Sequence, residues 1–232
     1  MPQSTRAGVR TEKRADAPAG SLDDIVGLAA VYYDANDAAR TQYNLFENVF
    51  ERIHPGAFDK AIGRDDVRAL QNHDPRLLLG RTASGTLTLE LTKEGLAYRI
   101  QTPNTTAGRD TIESLNRKDI DGSSFAFQIE RGGVEWTEET VEVNGANITL
   151  YIRNLRSLAL FDVGPVTYPA YTGTSSGAGS RSPGVFLIDA RSGGSGDIEA
   201  IQGEYADYLK RTKFGPAAEA RARRIRLAEL DA

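Results

Sequence analysis

The stretch TLTLEL (86–91) alternates polar and apolar residues without a break, the period of a strand with one face buried. KEG (93–95) then turns the chain into LAYRI (96–100), so the two runs read as a β-hairpin. The same period recurs on both sides. IVGLAAVYY (25–33) is a strand, and Phe125, Phe127 and Ile129 alternate with Ala126 and Gln128 in another. Residues 134–143 and 148–153 flank the turn Asn144-Gly145-Ala146-Asn147, which predicts a second hairpin. LRSLALFDVGPV (155–166) supplies a further strand.

Helical signals are fewer. HPGAFDKAI (54–62) reads as a short helix opened near Pro55. GRDTIESLNRKD (108–119) reads as a helix with Ile112 and Leu115 on one face. About seven short strands with two or three helices predict a β-rich α+β domain, a barrel or sandwich with helical decorations.

Composition divides the chain further. Residues 1–21 are polar and Pro/Ala-rich, the signature of a disordered arm. The compact domain is expected over 22–171. Gly/Ser-rich sequence around the apolar island VFLIDA (185–190) predicts a flexible linker over 172–200. Residues 201–232 favour helix and carry Lys210, Arg211, Lys213, Arg221, Arg223, Arg224 and Arg226, a basic tail. Gly215-Pro216 is expected to split it into two short helices.

Several chemistries are excluded at this stage. The 232-residue chain has no cysteine, so disulfides, thiolate nucleophiles and cysteine–zinc sites are ruled out. It has two histidines, His54 and His73, too few for a histidine-built metal site. A net charge of −4 gives no reason for the whole protein to bind nucleic acid. No run approaches the ~18 apolar residues of a membrane span. The N-terminus lacks the apolar core of a secretory signal. The expectation is a soluble, intracellular protein without cofactor or metal.

Three segments can carry chemistry. LQNHDPRLLLGR (70–81) places His73 between Asn72 and Asp74. It is either a surface histidine in a turn or an imidazole at work. DIDGSSFAFQIE (119–130) opens an alternating strand with Ser123 and Ser124. They form an ordinary Gly-Ser turn or a hydroxyl fixed by rigid neighbours, as a nucleophile must be. LALFDVGPVTYPAY (158–171) sets Asp162 inside an apolar run. Its carboxylate points outward or is buried with a partner, for which a histidine N–H is suited.

In combination these segments resemble the tailed-phage prohead proteases, relatives of the herpesvirus assembly protease. The resemblance spans about residues 25–171. It rests on PGAF (55–58), NHD (72–74), LLGR (78–81), SGTL (84–87), the DI-G-x-SF-x-F pattern at 119–127, and DVGPVTYPAY (162–171). It implies a herpesvirus-protease-like β-barrel ringed by helices, and a serine endopeptidase that cleaves capsid or scaffold protein in the assembling procapsid in the host cytoplasm. The histidine of NHD is then the general base, His73, and the serine before Phe is the nucleophile, Ser124. Adjacent residues on an extended chain point to opposite sides, so Ser123 is its neighbour and not its equivalent. The herpesvirus enzymes use a second histidine, and His54 matches no such position. Asp162 is the expected third member, with Asp74 and Glu90 as fallbacks. Gly164 departs from the serine many members carry. Arg153 and Arg156 are considered for the oxyanion. The flexible polar linker would suit self-cleavage, and a homodimer follows by analogy with the herpesvirus enzymes.

Two other classes compete. One is a catalytically inactive capsid scaffold or assembly chaperone with a protease-like fold. The other is a nucleic-acid-binding protein, resting on the basic tail alone.

Overall fold

The structure, a computed structural model, describes residues 9–143, 145–169 and 198–213. Among them are twelve strands: β1 (Arg10–Glu12), β2 (Asp24–Val31), β3 (Gln42–Phe46), β4 (Val49–Ile53), β5 (Arg68–Leu70), β6 (Leu78–Arg81), β7 (Leu87–Leu91), β8 (Gly95–Ile100), β9 (Gly122–Ile129), β10 (Val134–Val143), β11 (Ala146–Leu155) and β12 (Leu158–Val166). The α-helices are α1 (Ala38–Thr41), α2 (Thr106–Asn116) and α3 (Ile198–Lys213).

The strands form three four-stranded sheets, in the orders β1-β2-β8-β7, β10-β11-β4-β3 and β6-β5-β12-β9. The fold is β-rich, as expected; among the described residues the strands form three sheets and no closed barrel. Bulges at Leu28/Ala30, Asn44/Phe46, Ala69/Leu70 and Leu160/Asp162 interrupt the pairing. A bulge bends and twists its strand. One core nevertheless joins all three. Ile25, Leu96 and Ile100 come from the first, Ile53 and Leu155 from the second, and Leu79, Leu158 and Val163 from the third.

The β7–β8 hairpin and strands β2, β9 and β12 follow the sequence reading. The second hairpin pairs Val143 with Ala146 and Glu142 with Asn147, so Ala146 and Asn147, expected in the turn, belong to the strand. The expected helix over 54–62 is a chain of tight turns instead. Ala57 N bonds His54 O, and Asp59 N bonds Gly56 O. Gly56 takes a φ of +91°, outside the helical region, so no helix propagates from Pro55. The turns drive Ala57, Phe58 and Ala61 into the core. Helix α2 begins earlier than expected, where the Thr105 hydroxyl accepts from Gly108 N at 3.2 Å.

Two expectations about the chain ends also change. Part of the supposed arm is ordered: β1 pairs with β2, and Val9 is buried. Residues 1–8 and 170–197, and so most of the linker with VFLIDA, lie outside the described residues. So do 214–232, with Gly215-Pro216. Helix α3 already starts at Ile198 and packs Ile201 against Leu45 and Val49, on the second sheet.

Candidate active site

β5 runs parallel to β12, pairing Arg68 with Asp162 and Ala69 with Val163. The chain leaving β5 therefore emerges beside the later residues of β12. It reverses there through a tight turn, Gln71–His73, in which Asn72 (φ +52°) and His73 (φ +56°) both adopt the left-handed conformation. Such residues are costly and persist where their surroundings dictate them. The turn returns His73 to the strand, with Nδ1 2.5 Å from Asp162 Oδ1.

That contact assigns the tautomer. An ionised carboxylate only accepts, so Nδ1 carries the hydrogen and donates it. The Nε2 lone pair is then left to take a proton, the arrangement a general base needs.

Asp162 owes its direction to the bulge. Leu160 pairs with Phe127 and points into the core. Strict alternation would send Asp162 the same way. The extra residue, Phe161, restarts the ladder at Asp162↔Ala126, so Val163 enters the core and Asp162 faces the other side. Phe161 is left exposed.

Ser124 comes from the neighbouring strand. It pairs with Gly164, two places along from the Asp162↔Ala126 pair, so Ser124 and Asp162 share a face of the sheet. Such diagonal neighbours have Cα atoms roughly 7–8 Å apart, room for an imidazole between their side chains. Gly164 adds no side chain to this space, and a Cβ there would sit 2.1 Å from Leu70 O. The departure from serine thus matches the close approach of β5. Ser124 is buried, and among the described residues no hydrogen bond joins it to His73.

The remaining residues named from sequence lie elsewhere. Ser123 faces the opposite way, its hydroxyl 2.7 Å from Tyr98 Oη. Asp74 binds Arg76, taking its backbone N–H at 2.9 Å and its guanidinium at 2.7 Å. Glu90 borders a cleft of about 570 Å³ on the first sheet, beside Arg10, Glu12 and Arg99; the cleft includes none of His73, Ser124 and Asp162. His54 donates from Nε2 to Asn154 Oδ1 at 2.6 Å, since the Asn154 amide nitrogen faces Glu135 O and Thr137 Oγ1. Burial pushes the His54 imidazole below its usual range, partly offset by the Asn154 bond. Arg153 is buried and bound to Glu51 and Glu204, which occupies it, whereas Arg156 forms an exposed pair with Glu135. Sequence reasoning also missed the part played by Phe161, because a bulge leaves no mark in a run of apolar letters.

A carboxylate that holds an imidazole and shares its sheet face with a strand serine is equipment of the serine-hydrolase class. Comparison with protein families gives the particular one. The model described as Caudovirus prohead serine protease matches residues 20–183, more than half of the chain, and the chain belongs to that family. It is accordingly a serine peptidase of bacteriophage capsid maturation. No curated protein and no solved structure matches it.

Proposed function

We propose that Ser124 is the nucleophile of this peptidase, His73 its general base and Asp162 the group that orients the base. The observation that carries this is the 2.5 Å contact from His73 Nδ1 to Asp162, with Ser124 on the same face of the sheet. Nε2 takes the Ser124 proton as the hydroxyl attacks a peptide carbonyl, and Asp162 stabilises the imidazolium that forms. His73 then protonates the leaving amine, and water releases the acyl-enzyme. The nucleophile–base bond commonly tightens only when substrate is bound.

The substrate is the major capsid protein or its scaffolding segment, cleaved within the procapsid in the host cell. Self-cleavage within 172–197 and a homodimer belong to the same reading.

The test combines co-expression with the capsid protein and labelling by a fluorophosphonate, which reacts with activated serines. Ser124→Ala is expected to lose both cleavage and labelling while remaining folded. Asp162→Asn, which favours the wrong tautomer, is expected to lower turnover by about 10⁴-fold. A Ser124→Ala protein that still cleaves rejects the assignment. Failure of the wild-type chain to label would favour an inactive scaffold instead.

A further inference from the structure

We infer that Asn72 is a positioning residue, whose side chain clamps the histidine turn onto the strand that carries Asp162. The inference rests on His73 being the base. Asn72 Oδ1 accepts from the backbone N–H of Thr167 at 2.7 Å. Thr167 directly follows β12, so this strand grips the turn twice: at Asp162 through His73, and five residues on through Asn72.

The clamp has a mechanical purpose. Asn72 and His73 are consecutive left-handed residues, at φ +52° and +56°. Each is a strained conformation that relaxes unless held. The turn has bonds of its own, from Asp74 N to Gln71 O at 3.0 Å and from Leu77 N to Asp74 O at 2.9 Å. A further bond runs from Thr111 Oγ1 on α2 to Gln71 Oε1 at 2.9 Å. These fix the base of the loop and its attachment to the helix. Asn72 ties the tip to β12. Without it the imidazole depends on its own contact with Asp162, and Nε2 is free to swing away from Ser124.

Asparagine suits both demands. Its short amide tolerates the left-handed conformation, and its oxygen accepts the Thr167 N–H.

The test uses the full-length chain with fluorophosphonate labelling and thermal unfolding measured in parallel. Asn72→Gly keeps the backbone freedom and removes the acceptor. It is expected to lower the labelling rate about 10- to 100-fold, the scale of an ångström-level misplacement. Asn72→Asp retains both the acceptor and the left-handed tolerance, and is expected to restore most of the rate. Thr167→Pro removes the donor without altering the turn, and should reproduce the loss if Asn72→Gly fails to fold. Wild-type labelling in both Asn72→Gly and Thr167→Pro overturns the clamp, as does an Asn72→Asp protein as slow as Asn72→Gly at equal stability. His73→Ala separates this from failure of the catalytic reading. If His73→Ala labels normally the base is wrong, whereas an inactive His73→Ala beside a normal Asn72→Gly removes the clamp alone.

Discussion

Ser123 and Ser124 are neighbours in the chain but serve opposite faces of β9. Ser123 closes a buried contact with Tyr98, Oγ to Oη at 2.7 Å, while Ser124 shares its face with Asp162. Gly27 completes the inner contact, since a Cβ there would lie 2.6 Å from Tyr98 Oη and 2.7 Å from Ser123 Oγ. Burial pushes the Tyr98 phenol up, against a smaller opposing effect of the Ser123 bond, so it stays neutral.

Ser123→Ala is therefore a stability variant. It strands the Tyr98 hydroxyl, at a cost of about 1–3 kcal/mol. Denaturant unfolding should show that loss, while fluorophosphonate labelling stays near wild type. Loss of labelling in a folded Ser123→Ala protein would contradict the division of roles between the two serines.

Helix α3 is held on the second sheet by a buried cation. The Arg153 side chain is 1% exposed and reaches Glu51 at 2.5 Å and Glu204 of α3 at 3.0 Å. Glu51→Gln removes the buried partner and leaves the guanidinium to the half-exposed Glu204, which should cost up to about 3–5 kcal/mol. Glu204 is 44% exposed, so Glu204→Gln should cost at most about 1 kcal/mol. The only tryptophan, Trp136, stacks on Tyr208 with ring centres 5.8 Å apart and meets Tyr205 at 5.6 Å. Its emission therefore reports docking. Ile201→Asp should shift that emission to the red before the rest of the protein unfolds, and an unchanged spectrum would count against the contact.

Acid should loosen the third sheet through Glu130. The Ser157 hydroxyl first, and then the Arg64 guanidinium, hold its carboxyl down at about 2, against an ordinary 4.5. The folded value lies below the unfolded one. The contribution is thus complete above about 4.5 and is lost as pH falls from there through about 2. Scanning calorimetry across that window should show the wild-type midpoint falling faster than that of Glu130→Gln. Parallel slopes would mean that Glu130 contributes nothing.

Much of this was legible before folding. Period two marked β7, β8, β9 and β12, because a half-buried strand must alternate. The pieces around His73, Ser124 and Asp162 carried the family resemblance. Strand β4 was not legible, because buried Glu51 and Arg52 interrupt the apolar alternation with charges that only ion pairs make tolerable. The false helix over 54–62 came from a local pattern that Gly56 overrides. Arg153 looked available for the oxyanion because its partners lie 102 and 51 residues away in the chain.

Taken alone, the amino-acid order determined which side chains are available and which segments extend, because composition and periodicity are local properties. Folding decided which way those side chains face. One extra residue at Phe161 turns Asp162 out of the core, and a parallel pairing of β5 with β12 brings His73 back to meet it. Both depend on strand register, which is set between segments far apart in the chain and is written in neither one.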